Sequence, residues 1–204
     1  MNQQILNSAL EQLRKDPKID KLIQKFGPPN FSQKSDNFNA LSKSIMYQQL
    51  SGKAARTIYN RFLELFSNKL PKASEVININ ISKLRSIGIS KQKSSYIIGL
   101  AEYFYKNGKK IDFENLSDLE VSQELIKIKG IGQWTIDMFL MFTLQRADVL
   151  PVGDLGIQKG IKIMFNMKNL PSNKYMIQKS KKWRPYRTVA CWYLWRMIDE
   201  EDTW

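Results

Sequence analysis

LIKIKGIGQWTIDMF, residues 125–139, sets two glycines around one apolar residue, Gly130-Ile131-Gly132, between two segments of helical periodicity. Glycines at this spacing permit a tight turn between helices and leave room for a foreign backbone to come close. The amides after the turn open the next helix, so its unpaired N–H donors and positive dipole end face outward as a seat for phosphate. Lys127 and Lys129 add charge of the right sign. The same Gly-x-Gly also reads as a plain turn between helices. As a dinucleotide fingerprint it fails, because no strand precedes it and no third glycine stands at the required offset.

Some twenty residues downstream comes DVLPVGDLGIQKGI, residues 148–161, in which Pro151 and Gly153 restrict the approach to Asp154. Asp154 stands immediately before an apolar-periodic run, the position of a helix N-cap. A capping carboxylate is held rigidly at an element terminus, so a structural and a chemical role are compatible there.

Working outward, the periodicity is helical almost throughout, and the spacing predicts an all-α chain of nine or ten helices. Helices are predicted over about 3–14, 40–49, 53–66, 91–108, 117–128, 133–145, 173–183 and 186–198, with another following Asp154. The 133–145 segment is apolar enough for one central buried helix. Residues 25–38 read as a loop, and 74–90 as ambiguous in the first half, with a short helix stopped by Gly88 in the second. Ser117 and Glu120 have capping-box spacing.

Composition narrows the chemistry. Lys and Arg number 32 against 19 Asp and Glu, a formal charge of +13, which suits a polyanionic partner. With no histidine and a single cysteine, Cys191, the chain holds no Ser-His-Asp or Cys-His machinery, no thiolate set for zinc and none for an iron–sulfur cluster. The N-terminal segment lacks the apolar core of a signal peptide, and no apolar run is long enough to span a bilayer, so an intracellular protein without membrane attachment is expected.

Together the two quoted stretches resemble the helix-hairpin-helix, Gly/Pro-rich loop and Asp signature of the base-excision DNA glycosylase superfamily, with the hairpin over about residues 118–146. Within it the chain is most similar to the DNA-3-methyladenine glycosylase II family. Three further segments agree in order: SIMYQQLSGKAA (44–55), LRSIGISKQKSSYIIGLA (84–101) and WRPYRTVACWYLWR (183–196). The resemblance spans roughly Ala40 to Arg196. It implies a two-lobed helical domain with its active site between the lobes. The roughly forty preceding residues match the compact form of the family, without the additional β-rich domain of some members.

The resemblance also implies chemistry. Members flip a damaged nucleotide out of double-stranded DNA and hydrolyse its N-glycosidic bond, and Asp154 falls on their essential carboxylate. Trp134 stands where bifunctional relatives carry a Schiff-base lysine, so no β-lyase activity is expected, and its indole suits a cationic base. Trp195 matches an aromatic residue lining the base pocket of a bacterial relative, and Met138 replaces that relative's tyrosine. Gln49 falls on the position of the wedge that fills the vacated stack, with Leu50 beside it as the more apolar choice. Gly130, Ile131, Gly132, Lys129, Lys53 and Arg56 are the candidate contacts to the DNA backbone. No cofactor is required on this reading. A monovalent cation in the hairpin would be held by the main-chain carbonyls of Ile126, Ile128 and Ile131, and the chain is expected to act as a monomer. Two other readings stay open: a glycosylase for deaminated, oxidised or cyclic-adduct bases, and a non-catalytic hairpin protein that only binds DNA.

Overall fold

The computed structural model describes residues 1–31, 36–108 and 110–198, and within them the chain forms twelve α-helices, one π-helical turn and one 3-10 turn, with no strand. No helix among these residues is long and apolar enough to cross a membrane. The chain divides into two compact units, one built from both ends of the chain and the other from its middle, with the switch at Phe139–Leu140.

The middle unit runs from α3 to α9: α3 (Asn37–Tyr47), α4 (Gly52–Glu64), α5 (Ala73–Ile77), α6 (Ile81–Ser86), α7 (Lys91–Asn107), α8 (Asp118–Leu125) and α9 (Gln133–Met138). Its axis is α7, against which α3, α5 and α6 all pack. The reason lies in the sequence of α7: Ser94, Ile97, Leu100 and Ala101 recur at three- and four-residue intervals and are all buried. Phe62, Val76, Leu84, Val121, Leu125 and Ile136 complete the core. Serine caps set the helix starts. Ser51, Ser90 and Ser117 each accept from an amide one turn in, and Glu120 returns the bond to Ser117 to close a capping box.

The other unit begins with α1 (Gln3–Leu13) and α2 (Pro17–Phe26) and resumes with α10 (Leu155–Met164), α11 (Asn173–Lys179), the 3-10 turn Ser180–Trp183 and α12 (Arg187–Arg196). Here α12 is central: Thr188 to Leu194 are buried without interruption, and α1, α2, α10 and the 3-10 turn lie against it. A helix apolar on all sides must be enclosed on all sides. Gly160 lets α10 approach closely, since a Cβ there would stand 2.7 Å from the Leu194 carbonyl oxygen. Asp16 caps α2, and its Oδ2 accepts 2.8 Å bonds from Trp183 Nε1 and Lys182 Nζ.

Several boundaries depart from the spacing. Pro17, at the first turn after the Asp16 cap, starts a helix between the predicted first helix and the predicted loop. The ambiguous half of 74–90 is helical as α5, and α3 begins three residues before the expected start. The helix expected over 133–145 is two elements. α9 ends at Met138, and a π-helical turn, Phe139–Thr143, comes directly after it, with the Arg146 amide donating 2.8 Å to the Leu140 carbonyl.

Candidate active site and nucleic-acid interface

Asp154 is the N-cap of α10, in extended backbone, with its Oδ1 accepting 2.8 Å from the Ile157 amide. The same oxygen accepts 2.8 Å from the indole Nε1 of Trp195 on α12. Only 8% of Asp154 is exposed. Two donors on one oxygen fix the carboxylate in place, and both complement its negative charge. Gly156 makes the arrangement sterically possible: a Cβ there would lie 2.7 Å from Trp195 Cδ1 and 3.0 Å from Asp154 Oδ1. Phe142 packs beside the indole, ring centroids 5.7 Å apart.

The loop that delivers Asp154 is anchored from both sides. Asp154 donates its amide 3.0 Å to the Pro151 carbonyl, and Gln158 Nε2 donates 2.9 Å to that of Val152. Upstream, Arg187 forks onto Asp148, with Nε 2.5 Å from Oδ1 and a second nitrogen 3.0 Å from Oδ2. Thr188 Oγ1 donates 2.6 Å to the Arg146 carbonyl and accepts 3.1 Å from the Val149 amide. The start of α12 thus holds the entry to the loop, and Trp195, near its end, holds the carboxylate. Of the two tryptophans in this helix, Trp195 meets Asp154, whereas Trp192 stacks edge-on against Tyr193. Cys191 is buried, 3.9 Å from the Val149 carbonyl.

In the middle unit, residues 126–132 form the turn between α8 and α9. The two glycines there do different work. Gly130 has φ +94°, and a Cβ on it would lie 2.3 Å from the Tyr96 ring, so both conformation and packing demand glycine. Gly132, the N-cap of α9, sits in extended backbone with φ −115°, and a Cβ would meet nothing within 4 Å. No side chain caps it, and Gly132 and Gln133 are exposed. Ile131 is buried and Lys129 exposed, while Lys127 pairs with Glu124 at 2.6 Å. The Ile128 carbonyl accepts 3.0 Å from the Ile131 amide and keeps a second lone pair. Among the described residues, no group of three or more His, Cys, Asp or Glu side chains is placed to hold a metal ion.

Trp134, second in α9, is half-buried, and Met138, one turn on, is 1% exposed. Asp137, also buried, accepts 2.8 Å from Gln133 Nε2. Gln49 is exposed with φ +57°, a left-handed conformation uncommon for a residue with a Cβ, and Leu50 beside it is 41% exposed. Lys53 is exposed on the first turn of α4, and Arg56 lies half-buried beside the Tyr47 hydroxyl.

Sequence reasoning passed over Gln48 and Lys93. Gln48 Nε2 donates to the Gly130 carbonyl and to Thr135 Oγ1, each at 2.9 Å. Lys93 Nζ donates 3.0 Å to the Met46 carbonyl and 2.6 Å to that of Gln48, and burial pushes its pKa below the ordinary lysine value. The paired glutamines ahead of Ser51-Gly52 were the available signal, but no local spacing links residues that lie 45 to 87 positions apart.

The family model for HhH-GPD superfamily base excision DNA repair proteins matches residues 42–185. The chain is 33% identical over 182 residues to DNA-3-methyladenine glycosylase 1 of Schizosaccharomyces pombe, covering 88% of this chain and 80% of that protein. Among solved structures, a 3-methyladenine DNA glycosylase of the same yeast in complex with abasic DNA aligns with TM-score 0.87 and 30% identity, over 97% of this chain and 98% of that one. A DNA-3-methyladenine glycosidase from Bacillus halodurans aligns with TM-score 0.73 and 37% identity, over 94% and 90% of the two chains.

Proposed function

The chain belongs to the HhH-GPD superfamily of base excision DNA repair proteins, and we propose that within it the chain is a monofunctional glycosylase of the DNA-3-methyladenine glycosylase II type. It excises alkylated purines from double-stranded DNA and leaves an abasic site. The observation that carries this reading is the Asp154 carboxylate, nearly buried and fixed by the Ile157 amide and the Trp195 indole. Asp154 caps α10, but DNA binding alone needs no acid opposing a polyanion.

The chemistry needs little else. A purine alkylated at N3 or N7 is cationic, so when the C1′–N bond breaks the electron pair goes to the ring and the base departs neutral, without a general acid. Positive charge develops on the sugar, and a preorganised carboxylate stabilises it. Water adds at C1′, and Asp154 orients it and takes up its proton. Histidine has no part to play in that sequence.

Trp134 stands in place of the lysine of bifunctional relatives and supplies an aromatic face for a cationic base, with no amine to form a Schiff base. Trp195, with its indole nitrogen committed to Asp154, orients the carboxylate and presents its ring to the base pocket. Gln49 and Leu50 are the wedge candidates. Phosphates are held by the amides of Gly130 and Gly132, on either side of Ile131, whose own amide bonds the Ile128 carbonyl, together with Lys129, Lys53 and Arg56. A monovalent cation on the carbonyls of Ile126, Ile128 and Ile131 would add a positive charge between hairpin and phosphate.

The test is a duplex oligonucleotide with a single 7-methylguanine. The strand is expected to break at the lesion only after alkali treatment, and borohydride is expected to trap no protein–DNA adduct. Strand cleavage without alkali, together with efficient trapping, would replace this reading with Schiff-base chemistry.

A further inference from the structure

The end of α3 is tied at two points. Lys93 Nζ, reaching from the first turn of α7, gathers the carbonyls of Met46 and Gln48 at 3.0 and 2.6 Å. An ammonium at a helix C-terminus satisfies carbonyls that have no partner in the helix and complements the dipole. The Gln48 side chain then crosses to the hairpin, where its amide nitrogen donates to the Gly130 carbonyl and to Thr135 Oγ1, both at 2.9 Å. The next residue, Gln49, is in left-handed backbone and exposed, followed by exposed Leu50. The carbonyl that Gln48 grips belongs to the glycine whose φ of +94° makes the phosphate-binding turn.

From this chain of contacts we infer that Gln48 and Lys93 are positioning residues for base flipping, locking the 48–50 corner to the hairpin so that the wedge stands at a fixed offset from the gripped phosphate. The inference rests on the proposed glycosylase function and adds to it how grip and wedge are coordinated. Unstacking a base costs free energy, and an inserted side chain offsets that cost only if it enters the stack at the step the grip has selected. A wedge on a corner free to move would track the backbone it is meant to deform. The strained backbone at Gln49 persists beside Gln48, which is held through both its side chain and its carbonyl.

The test compares the full-length native chain with Gln48→Glu and Lys93→Met. Gln48→Glu is nearly isosteric but replaces both donated bonds with a carboxylate facing a carbonyl. Lys93→Met keeps the stem and removes the ammonium. Two duplexes carry the same 7-methylguanine, one opposite cytosine and one opposite a tetrahydrofuran residue, where no partner base is left behind to be held apart. In a third, 2-aminopurine flanks a tetrahydrofuran residue, so that its fluorescence rises when the wedge enters.

Both variants should lose about tenfold or more in kcat on the cytosine-paired lesion, the scale of a lost buried bond or a misplaced group. The KM of Lys93→Met for that duplex should stay within about threefold, since Lys93 bonds only the Met46 and Gln48 carbonyls and leaves the hairpin untouched. Opposite tetrahydrofuran the kcat loss should shrink to less than about threefold, and the fluorescence rise should be lost. Equal kcat losses on both lesion duplexes, or a fluorescence rise retained by both variants, would overturn the inference. If the native chain released no base from either duplex, the glycosylase reading would fall, while the fluorescence comparison would still decide the role of Gln48 and Lys93.

Discussion

Asp154, Trp195 and Gly156 form the smallest set in which a sequence change has a calculable consequence. Gly156 lies in the first turn of α10 without a positive φ, so alanine there costs the fold no backbone strain. Its Cβ, however, would fall 2.7 Å from Trp195 Cδ1 and 2.9 Å from Nε1, so the indole must swing away from the carboxylate it holds. Gly156→Ala should therefore melt within a few degrees of the native chain, yet lose about tenfold in kcat, the worth of one bond to a charged group. Steady-state rates and a melting curve on the same preparation check this; unchanged turnover would remove Trp195 from the orientation of Asp154. The position of Asp154 ahead of an apolar run made it legible as a cap from sequence alone. The resemblance singled out Trp195 as a pocket aromatic, but its bond to Asp154 was not legible, because it depends on the packing of α12 on α10. Gln48 and Lys93 were invisible for a related reason: three of their four bonds go to main-chain carbonyls, which carry no residue identity.

At the level of the element, the two glycines of the hairpin look alike in sequence and differ in cause, Gly130 serving the fold and Gly132 leaving an approach open. Gly130→Ala forces a Cβ into the Tyr96 ring and a residue with a side chain into φ +94°, so it should destabilise the protein by about 1–3 kcal/mol. Gly132→Val should fold with a nearly native melting temperature and weaken binding to duplex DNA whether or not a lesion is present. Thermal melting together with fluorescence anisotropy on undamaged DNA separates the two, and native affinity in Gly132→Val would displace the phosphate seat from this turn. Helix types were readable wherever apolar spacing ran long, as in α7 and α12. α5 escaped because it is five residues long, less than two turns of pattern, whereas α2 was overlooked although Asp16-Pro17 and the spacing of Ile19, Leu22, Ile23 and Phe26 both mark it. The end of α9 was hidden because a π-helical turn changes the hydrogen-bond register without interrupting the run of apolar residues from Met138 to Phe142.

For the whole molecule, charge is the feature that sequence conveyed most directly, and the pairings of its few carboxylates are the feature it concealed. Burial pushes the pKa of Asp16 up, but the bonds from Lys182, Trp183 and the Lys18 amide outweigh it, so the carboxyl titrates below its ordinary 3.8. A carboxylate with a depressed folded-state pKa contributes stability above the unfolded value, and that contribution is lost as pH falls through the folded one. The native chain should therefore be more stable than Asp16→Asn at pH 7, with the gap closing as the pH is lowered below about 4. Melting curves from pH 7 to pH 3 check this, and a gap that stays constant would contradict it. The +13 charge pulls the molecule toward DNA, but the central claim concerns the chemical step after binding, a single fixed anion acting on a flipped alkylated purine. The most direct test is chromatographic measurement of free bases released from methylated duplex DNA by the native chain and by Asp154→Asn. The native chain should release 3-methyladenine and 7-methylguanine, Asp154→Asn should lose about a thousandfold in turnover, and both should retain DNA binding. Release by the variant at the native rate, or no release by a native chain that binds DNA tightly, would contradict that claim.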